Sequence, residues 1–269
     1  MIYWKWWIWK STVSAHLSAY YAINWYKVLQ VWCDPKHDST KRLLPRGVNI
    51  KTVIDISKYY DIDEITKDMF IYRWKYWVDC IESGWPFAGI WCAWRWISLM
   101  FEIFEETNLL NSTNYDVVIF DVLGDVVCWW FASPLKVWFA DSVFIVTSEE
   151  IMSVYAANNI SRAVVNYSSN WVRLWWLILN RRSNSSDISW VQMFAESIWT
   201  NILWTIERSE ELLDAEKEGK TVFDLGYELS LKEKYSELAE KIYNSSKWIL
   251  PTPFEDEEFD SFVFYNFKK

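Results

Sequence analysis

The sequence predicts an α/β fold, in which a mostly parallel sheet carries helices on both faces within a single domain. Segments typical of strands and of helices alternate along the chain, which is the pattern of parallel strands joined by crossover helices. Residues 117–120 are a continuous apolar run, as expected for a strand that is covered on both faces. The 269 residues are enough to enclose one large core. Such folds bind ligands at the carboxyl ends of their strands, so we expect the functional residues there.

The individual elements follow from hydrophobic periodicity and from helix and turn signals. Strands are predicted at residues 1–3, 27–33, 77–83, 117–120, 142–147 and 172–180. Helices are predicted from residue 10 onward, near residue 54, and at 97–106, 148–167, 188–198, 209–218 and 231–243. Residues 1–250 form the predicted domain. The tail, 251–269, mixes acidic and aromatic residues and is expected either to be disordered or to pack on a partner.

Charge and cysteine content argue against several classes of protein. The net charge of −9 argues against binding to nucleic acid or to an anionic membrane surface. The sequence contains no run of 18 apolar residues, so no transmembrane helix is predicted. The first ten residues carry lysines and lack the cleavage site of a signal peptide. We therefore expect a cytoplasmic protein whose four cysteines are thiols or metal ligands rather than disulfides.

Tryptophan and glycine occur in abnormal numbers. The chain has 22 tryptophans and 6 glycines, whereas an average composition of ~7% glycine would give roughly 19. The tryptophans follow neither a helical stripe nor strand alternation, and several stand in pairs in predicted loops, at 6–7, 129–130 and 175–176. Loops are where glycine is needed for positive φ, so a tryptophan-rich core is the less favoured interpretation.

Two short segments carry residues suited to nucleotide or cluster chemistry. Lys10, Ser11 and Thr12 stand at a predicted strand-to-helix turn, where a lysine reaches phosphates, a hydroxyl binds Mg²⁺ and the helix N-terminus favours anions. Asp121 follows the apolar strand and begins a loop with Asp125 and Cys128. A carboxylate there can hold a magnesium–nucleotide complex, and a thiolate can hold a metal cluster. Spacing alone favours two buried thiols for Cys92 and Cys128.

Four longer segments reverse this preference and favour metal ligation by the two cysteines. They are CDPKHDST at 33–40, CAWRWISL at 92–99, YDVVIFDVLGDVVC at 115–128 and YAANNI at 155–160. With them the chain resembles, over nearly its whole length, the nitrogenase iron protein family, whose fold is of the P-loop NTPase type. The bacteriochlorophyll-type and nickel-tetrapyrrole-type reductases share this plan, and Arg95 looks more like the nitrogenase and nickel-tetrapyrrole branches.

The resemblance implies a homodimer that holds one [4Fe-4S] cluster between its subunits. Each subunit would bind MgATP, and hydrolysis would gate electron transfer to a larger nitrogenase-like acceptor protein. Cys92 and Cys128 of each chain would ligate the cluster, and Arg95 would face the docking partner. The implied nucleotide residues are Lys10, Ser11 and Thr12 at the phosphates and Mg²⁺, Lys5 reaching across the dimer, Asp34 (which would position water) and Asp38 in the first switch, Asp121 and Asp125 in the second switch, and Asn180 at the adenine.

The chain departs from the family pattern in one recurring way, since it has tryptophan where the family has glycine. The positions are Trp4, Trp6, Trp7, Trp9, Trp32, Trp85, Trp91, Trp94, Trp96, Trp129, Trp130, Trp175 and Trp176. The family loop GKGGIGKST therefore reads WKWWIWKST. A phosphate loop wraps its ligand with backbone N–H groups, which indole rings would obstruct. Left-handed geometry costs a non-glycine residue ~1–2 kcal/mol, so we expect nucleotide binding to be abolished or badly weakened and the cluster site to be crowded.

Two other functional classes stay open at this point. Partitioning and septum-positioning ATPases share the superfamily but lack the cysteine motifs, and the net charge also counts against them. A nucleotide-dead, non-catalytic relative that at most dimerises is the third possibility. Iron content separates the reductase from the partitioning class, and nucleotide binding separates it from the non-catalytic relative.

Overall fold

The structure is a computed structural model, and it describes residues 1–4, 10–33, 42–45, 47–73, 75–84, 94–123, 142–226, 229–245 and 249–267. The chain divides into two compact units. The first unit comprises Trp9–Val122 and Ser209–Ile242, and the second comprises Met1–Ile8, Leu123–Arg208 and Tyr243–Lys269.

The described residues form strands and helices in alternation. The strands are β1 (Ile2–Trp4), β2 (Val28–Cys33), β3 (Tyr72–Arg73), β4 (Asp79–Glu82), β5 (Val117–Leu123), β6 (Ser142–Thr147), β7 (Arg173–Asn180) and β8 (Ile202–Ile206). The helices are α1 (Lys10–Ile23), α2 (Val53–Ile56), α3 (Trp94–Glu106), α4 (Leu109–Thr113), α5 (Ile151–Asn166), α6 (Ser189–Ser197), α7 (Glu210–Lys217), α8 (Leu229–Tyr243) and α9 (Asp256–Asn266).

The first unit contains the strand order β3-β4-β2-β5. Strands β4, β2 and β5 are parallel, and every residue of β2 and β4 is buried, as expected for strands covered on both faces. The edge strand β3 is antiparallel to β4. It is held by Arg73, whose guanidinium donates to both carboxylate oxygens of Asp79 at 2.5 and 2.7 Å, while the Tyr115 hydroxyl donates to the same carboxylate at 2.8 Å.

Helix α1 is buried from Ser11 to Ala19 and packs on α8. The Tyr21 hydroxyl donates to the carbonyl oxygen of Ala239 at 2.7 Å, and the ring of His16 lies 4.5 Å from the ring of Tyr235. Burial lowers the pKa of His16, and the guanidinium of Arg42 lowers it further. His16 is therefore a neutral residue of the core.

The second unit contains the parallel strand order β1-β6-β7-β8. The register between β6 and β7 shifts after Val143, because Phe144 pairs with Trp176 and leaves Trp175 as the extra residue of a bulge. Helix α9 closes this unit. Phe259 of α9 is buried, and its ring meets that of Phe194 on α6 at 6.2 Å.

The tail segment is therefore packed in its own chain and is not disordered along α9. Its entry is fixed by Asn158, whose side chain donates to the Phe254 carbonyl at 2.8 Å and accepts from the Phe254 N–H at 2.9 Å. Arg162 donates to the same carbonyl oxygen at 2.8 Å. These bonds satisfy backbone groups that would otherwise be left without partners inside the unit.

The predicted α/β class with a mostly parallel sheet is confirmed. The structure adds β3, β8, α4 and α9, which were not predicted, and it extends β5 through Asp121 to Leu123 instead of ending the strand before Asp121. Within the described part of the chain, no helix has both the length and the apolar character needed to cross a membrane.

Candidate functional site

Three buried side chains form a row at the carboxyl ends of β4, β2 and β5. Trp32 pairs in register with Glu82 on one side and with Asp121 on the other. Residues in register on parallel strands share a face, and the strands are ~4.8 Å apart. All three residues are at most 2% exposed. Glu82 and Asp121 therefore place two buried carboxyl groups at this edge of the sheet.

Cys33 follows Trp32 in the same strand. Burial raises the pKa of its thiol, and the nearby carboxylates of Asp121 and Glu82 raise it further. Burial likewise raises the pKa of Cys80, with Glu82 and Asp79 adding to the effect. Both side chains are fully buried and form no disulfide, so they are thiols of the core.

The first turn of α1 presents two buried hydroxyl groups. Ser11 is 6% exposed and Thr12 is 1% exposed. The Thr12 hydroxyl has no hydrogen-bond partner among the described residues. The first turn of a helix also carries N–H groups without intrahelical partners and the positive end of the helix dipole. The start of α1 is therefore suited to a phosphate oxygen or to a hydrated Mg²⁺ ion.

Asn180 is the last residue of β7, in the second unit, and it is buried. The segment after it is held by Glu149, whose carboxylate accepts the Arg182 N–H at 3.0 Å and the Ser183 N–H at 2.7 Å. Glu149 is itself 7% exposed. It was not identified from the sequence, because a single acid after a strand has no motif; it fixes the backbone that follows Asn180.

Most of the other predicted site residues lie outside the described residues. These are Lys5, Asp34, Asp38, Cys92, Asp125 and Cys128. Lys10 and Arg95 lie within helices α1 and α3, but the description does not extend to their side chains. Among the residues that are described, no group of three or more His, Cys, Asp or Glu side chains could hold a metal ion. The cluster ligands stay predictions.

Comparison with protein families gives one match that spans the chain. Residues 1–268 match the model of the 4Fe-4S iron sulfur cluster binding proteins, NifH/frxC family. The nitrogenase iron protein of Methanospirillum hungatei is 37% identical over 262 residues, which are 96% of this chain and 92% of that protein. Nitrogenase iron protein 2 of Methanothermobacter thermautotrophicus is 37% identical over 264 residues, with coverage of 97% and 95%.

Solved structures of similar fold include a cell division protein and a ParA family ATPase. The MinD cell division protein of Aquifex aeolicus superposes with a TM-score of 0.66 at 17% identity, covering 91% of this chain and 97% of that one. A ParA family ATPase from Chlorobium tepidum gives a TM-score of 0.65 at 19% identity, with coverage of 89% and 96%. At these identities the likeness shows the fold alone, and it confirms the predicted P-loop type.

Proposed function

Because the chain belongs to the NifH/frxC family of 4Fe-4S iron–sulfur cluster binding proteins, we propose that it is an ATP-dependent electron-transfer reductase. Its acceptor would be a nitrogenase or a nitrogenase-like protein, since the curated relatives at 34–37% identity are named nitrogenase iron proteins. The observation that carries the proposal is the family match over residues 1–268, which includes both cysteine segments. The buried hydroxyls of Ser11 and Thr12 and the buried carboxylate of Asp121 fit the nucleotide half of this activity.

The nucleotide site would be built at the start of α1 and at the end of β5. Ser11 and Asp121 supply the hydroxyl and carboxylate oxygens that Mg²⁺ prefers, and both are shielded from water. Hydrolysis of MgATP at this site would supply free energy for the proposed reductase activity. Further proposed roles are those of Lys5 and Lys10 at the phosphates, Asp34, Asp38 and Asp125 in the two switches, and Asn180 at the adenine.

The cluster would be held by Cys92 and Cys128 from each of two copies of the chain. Two thiolates per copy complete a set of four only in a dimer, which is the ligand count of a [4Fe-4S] cluster. Cys33 and Cys80 do not suit this task, because both side chains are fully buried within β2 and β4 and cannot face a second copy of the chain. Arg95, near Cys92, would lie on the surface that meets the electron acceptor.

The tryptophans of the phosphate loop would set the nucleotide affinity of the chain as printed. Trp32 illustrates the difficulty in the described part, since its side chain is fully buried beside Asp121 at a position where the family has glycine. Overpacking costs typically ~1–3 kcal/mol per site, and WKWWIWKST has four such positions before Lys10. We therefore propose that this sequence, as printed, binds MgATP badly or not at all.

Iron content and thermal unfolding test the two halves separately. The chain is purified anaerobically and its iron is measured, with Cys92→Ala/Cys128→Ala as the matched variant. Because tryptophans crowd the cluster site, we expect less iron than a full cluster in the printed chain and none in the variant; the same iron content in both would contradict the proposed ligands. Unfolding is then followed with and without MgATP. A ligand at 100 times its Kd stabilises by about 2.7 kcal/mol, which raises the Tm by several degrees. Such a rise would contradict the proposed loss of nucleotide binding.

A further inference from the structure

Four tryptophans have a backbone conformation that suits glycine. Their φ angles are +69° at Trp25, +64° at Trp77, +63° at Trp171 and +63° at Trp199. Among the described residues, seven non-glycine residues lie in this left-handed region, and four of the seven are tryptophan. Two others are asparagine, which tolerates the conformation. For a bulky side chain the left-handed region brings Cβ too close to the following carbonyl oxygen.

Two of these tryptophans close helices in a motif that glycine dominates. After α1, the Trp25 N–H donates to the Ala22 carbonyl at 3.1 Å and the Tyr26 N–H donates to the Tyr21 carbonyl at 3.0 Å. This pair of bonds is the Schellman motif, with Trp25 in its left-handed position.

The same motif follows α6 and α7. After α6, Trp199 occupies the left-handed position, and the Thr200 N–H donates to the Ala195 carbonyl at 2.8 Å. After α7, Gly219 occupies it at φ +66°, and the Lys220 N–H donates to the Ala215 carbonyl at 2.8 Å. The described residues thus include one copy of the motif with its usual residue and two copies with tryptophan.

Burial does not compensate these four positions. The exposed fractions are 95% for Trp25, 77% for Trp77, 67% for Trp171 and 73% for Trp199. A side chain in water gains almost none of the free energy that burial of apolar surface provides. Each indole therefore adds backbone strain and exposed apolar area without a packing gain. Glycine would remove both.

These four positions are different from those at which the family resemblance shows glycine replaced. Two unrelated observations, sequence motifs and backbone angles, thus identify tryptophan in the places of glycine. Independent mutations would have left a variety of residues there. A codon with two meanings replaces one residue type by a single other type at many sites. UGA is such a codon, because it is read as tryptophan in some genetic codes and as glycine in others.

We infer that the tryptophans at the four left-handed positions and at the thirteen positions of the family resemblance are encoded by a codon that specifies glycine in the organism that makes this protein. The phosphate loop of that chain has glycine at positions 4, 6, 7 and 9, so its backbone N–H groups are open to a phosphate. Glycine at position 32 also opens the space between Glu82 and Asp121. This consequence rests on the proposed nucleotide function, whereas the residue identities do not.

Trp190 marks the limit of the inference. Its side chain is 3% exposed, and its ring packs edge-on against Phe267 at 5.1 Å. It also has no positive φ. Trp190 is therefore tryptophan under either genetic code, as expected if its codon is UGG instead of UGA.

Tandem mass spectrometry of the protein purified from its native source tests the inference without reference to function. We expect peptides with glycine at positions 25, 77, 171 and 199 and with tryptophan at position 190. Tryptophan at all four left-handed positions would overturn the inference. Glycine at position 190 as well would also overturn it, because the assignment rests on the fit of each residue to its place.

A second experiment compares two chains made in one host, the printed chain and a chain with glycine at the four left-handed positions, at position 32 and in the phosphate loop. We expect the glycine chain to unfold at a higher temperature and to shift upward with MgATP. A higher unfolding temperature without a MgATP shift would uphold the inference and contradict the proposed nucleotide site. An unchanged or lower unfolding temperature would overturn the inference.

Discussion

The two ends of helix α6 carry the same residue type in opposite situations. Trp190, in the first turn, is buried against the ring of Phe267. Trp199, two residues past the last turn, is 73% exposed and has a left-handed backbone. The first tryptophan is specified by its packing, while nothing in its surroundings specifies the second. The comparison teaches that a residue has to be judged against both its backbone angles and its contacts, since neither is visible in the composition.

The largest effect is expected at the packed end. Trp190→Ala should lower the free energy of unfolding by about 3–5 kcal/mol, because it removes a large buried ring and leaves a cavity beside Phe267. Urea unfolding measures this directly. Met193→Ala on the same helix is the control, since Met193 is exposed and its loss should cost less than about 0.5 kcal/mol. Equal losses in the two variants would break the comparison.

Two glycines separate the packing cost of a side chain from its backbone cost. Gly84 and Gly47 have φ of +90° and +83°, but a Cβ at Gly84 would lie 2.1 Å from Thr52 Oγ1, whereas a Cβ at Gly47 would meet nothing within 4 Å. Gly84→Ala should therefore cost about 1–3 kcal/mol more than Gly47→Ala, which retains only the backbone strain. Denaturant midpoints of the two variants give the difference; a difference near zero would show that Thr52 moves aside freely.

His16 tests the same match between a residue and its surroundings, because its buried side chain is favourable only while it is neutral. Burial lowers its pKa in the folded chain, so the unfolded chain binds the proton more tightly. The free energy of unfolding should be fully retained above the unfolded pKa of about 6.5 and should fall by about 1.4 kcal/mol per pH unit below it. Urea unfolding at pH 7.5 and 5.5 measures this loss. His16→Phe should abolish most of it, while His37→Gln, at the only other histidine, should leave it unchanged.

The smallest effect is expected at the two helix ends that share the Schellman motif. Trp199→Gly should relieve ~1–2 kcal/mol of left-handed strain, less ~0.4–1 kcal/mol for the greater freedom of the unfolded chain. The net stabilisation is roughly 0.5–1 kcal/mol. Gly219→Trp should have the opposite sign and a similar size. Matched chemical denaturation of both variants is the test, and destabilisation by Trp199→Gly would mean that the exposed indole has a stabilising contact.

The regular core of the fold was predictable from local patterns. The apolar run of β5, the strand Ser142–Thr147 and the amphipathic helix α8 were all recognised, because each carries its own periodicity. Strand β3 was not, since two residues carry no periodicity and the strand depends on its pairing with β4 and on the contact of Arg73 with Asp79.

Helix α9 and the residues around the site show the same limit. The tail has no apolar stripe, and its capping box has Glu255 at the N-cap, which is not one of the residues that mark a helix start in a sequence. Ser11 and Thr12 were found from a tripeptide, whereas Glu149 was not found, because its role depends on a backbone loop that is distant in sequence. Long-range contacts decide these features, and they leave no local signal.

The order of segments in the second unit has a consequence for folding during synthesis. Strand β1 comes from residues 2–4 and helix α9 from residues 256–266, yet both belong to this unit. Ribosomes add about 5–20 residues per second, so β1 emerges many seconds before α9 exists. Until then the apolar surface that Phe259 covers on Phe194 is open to water and to other chains. The nascent chain therefore passes through an interval in which it is prone to aggregation, and that interval ends only when its last helix has been made.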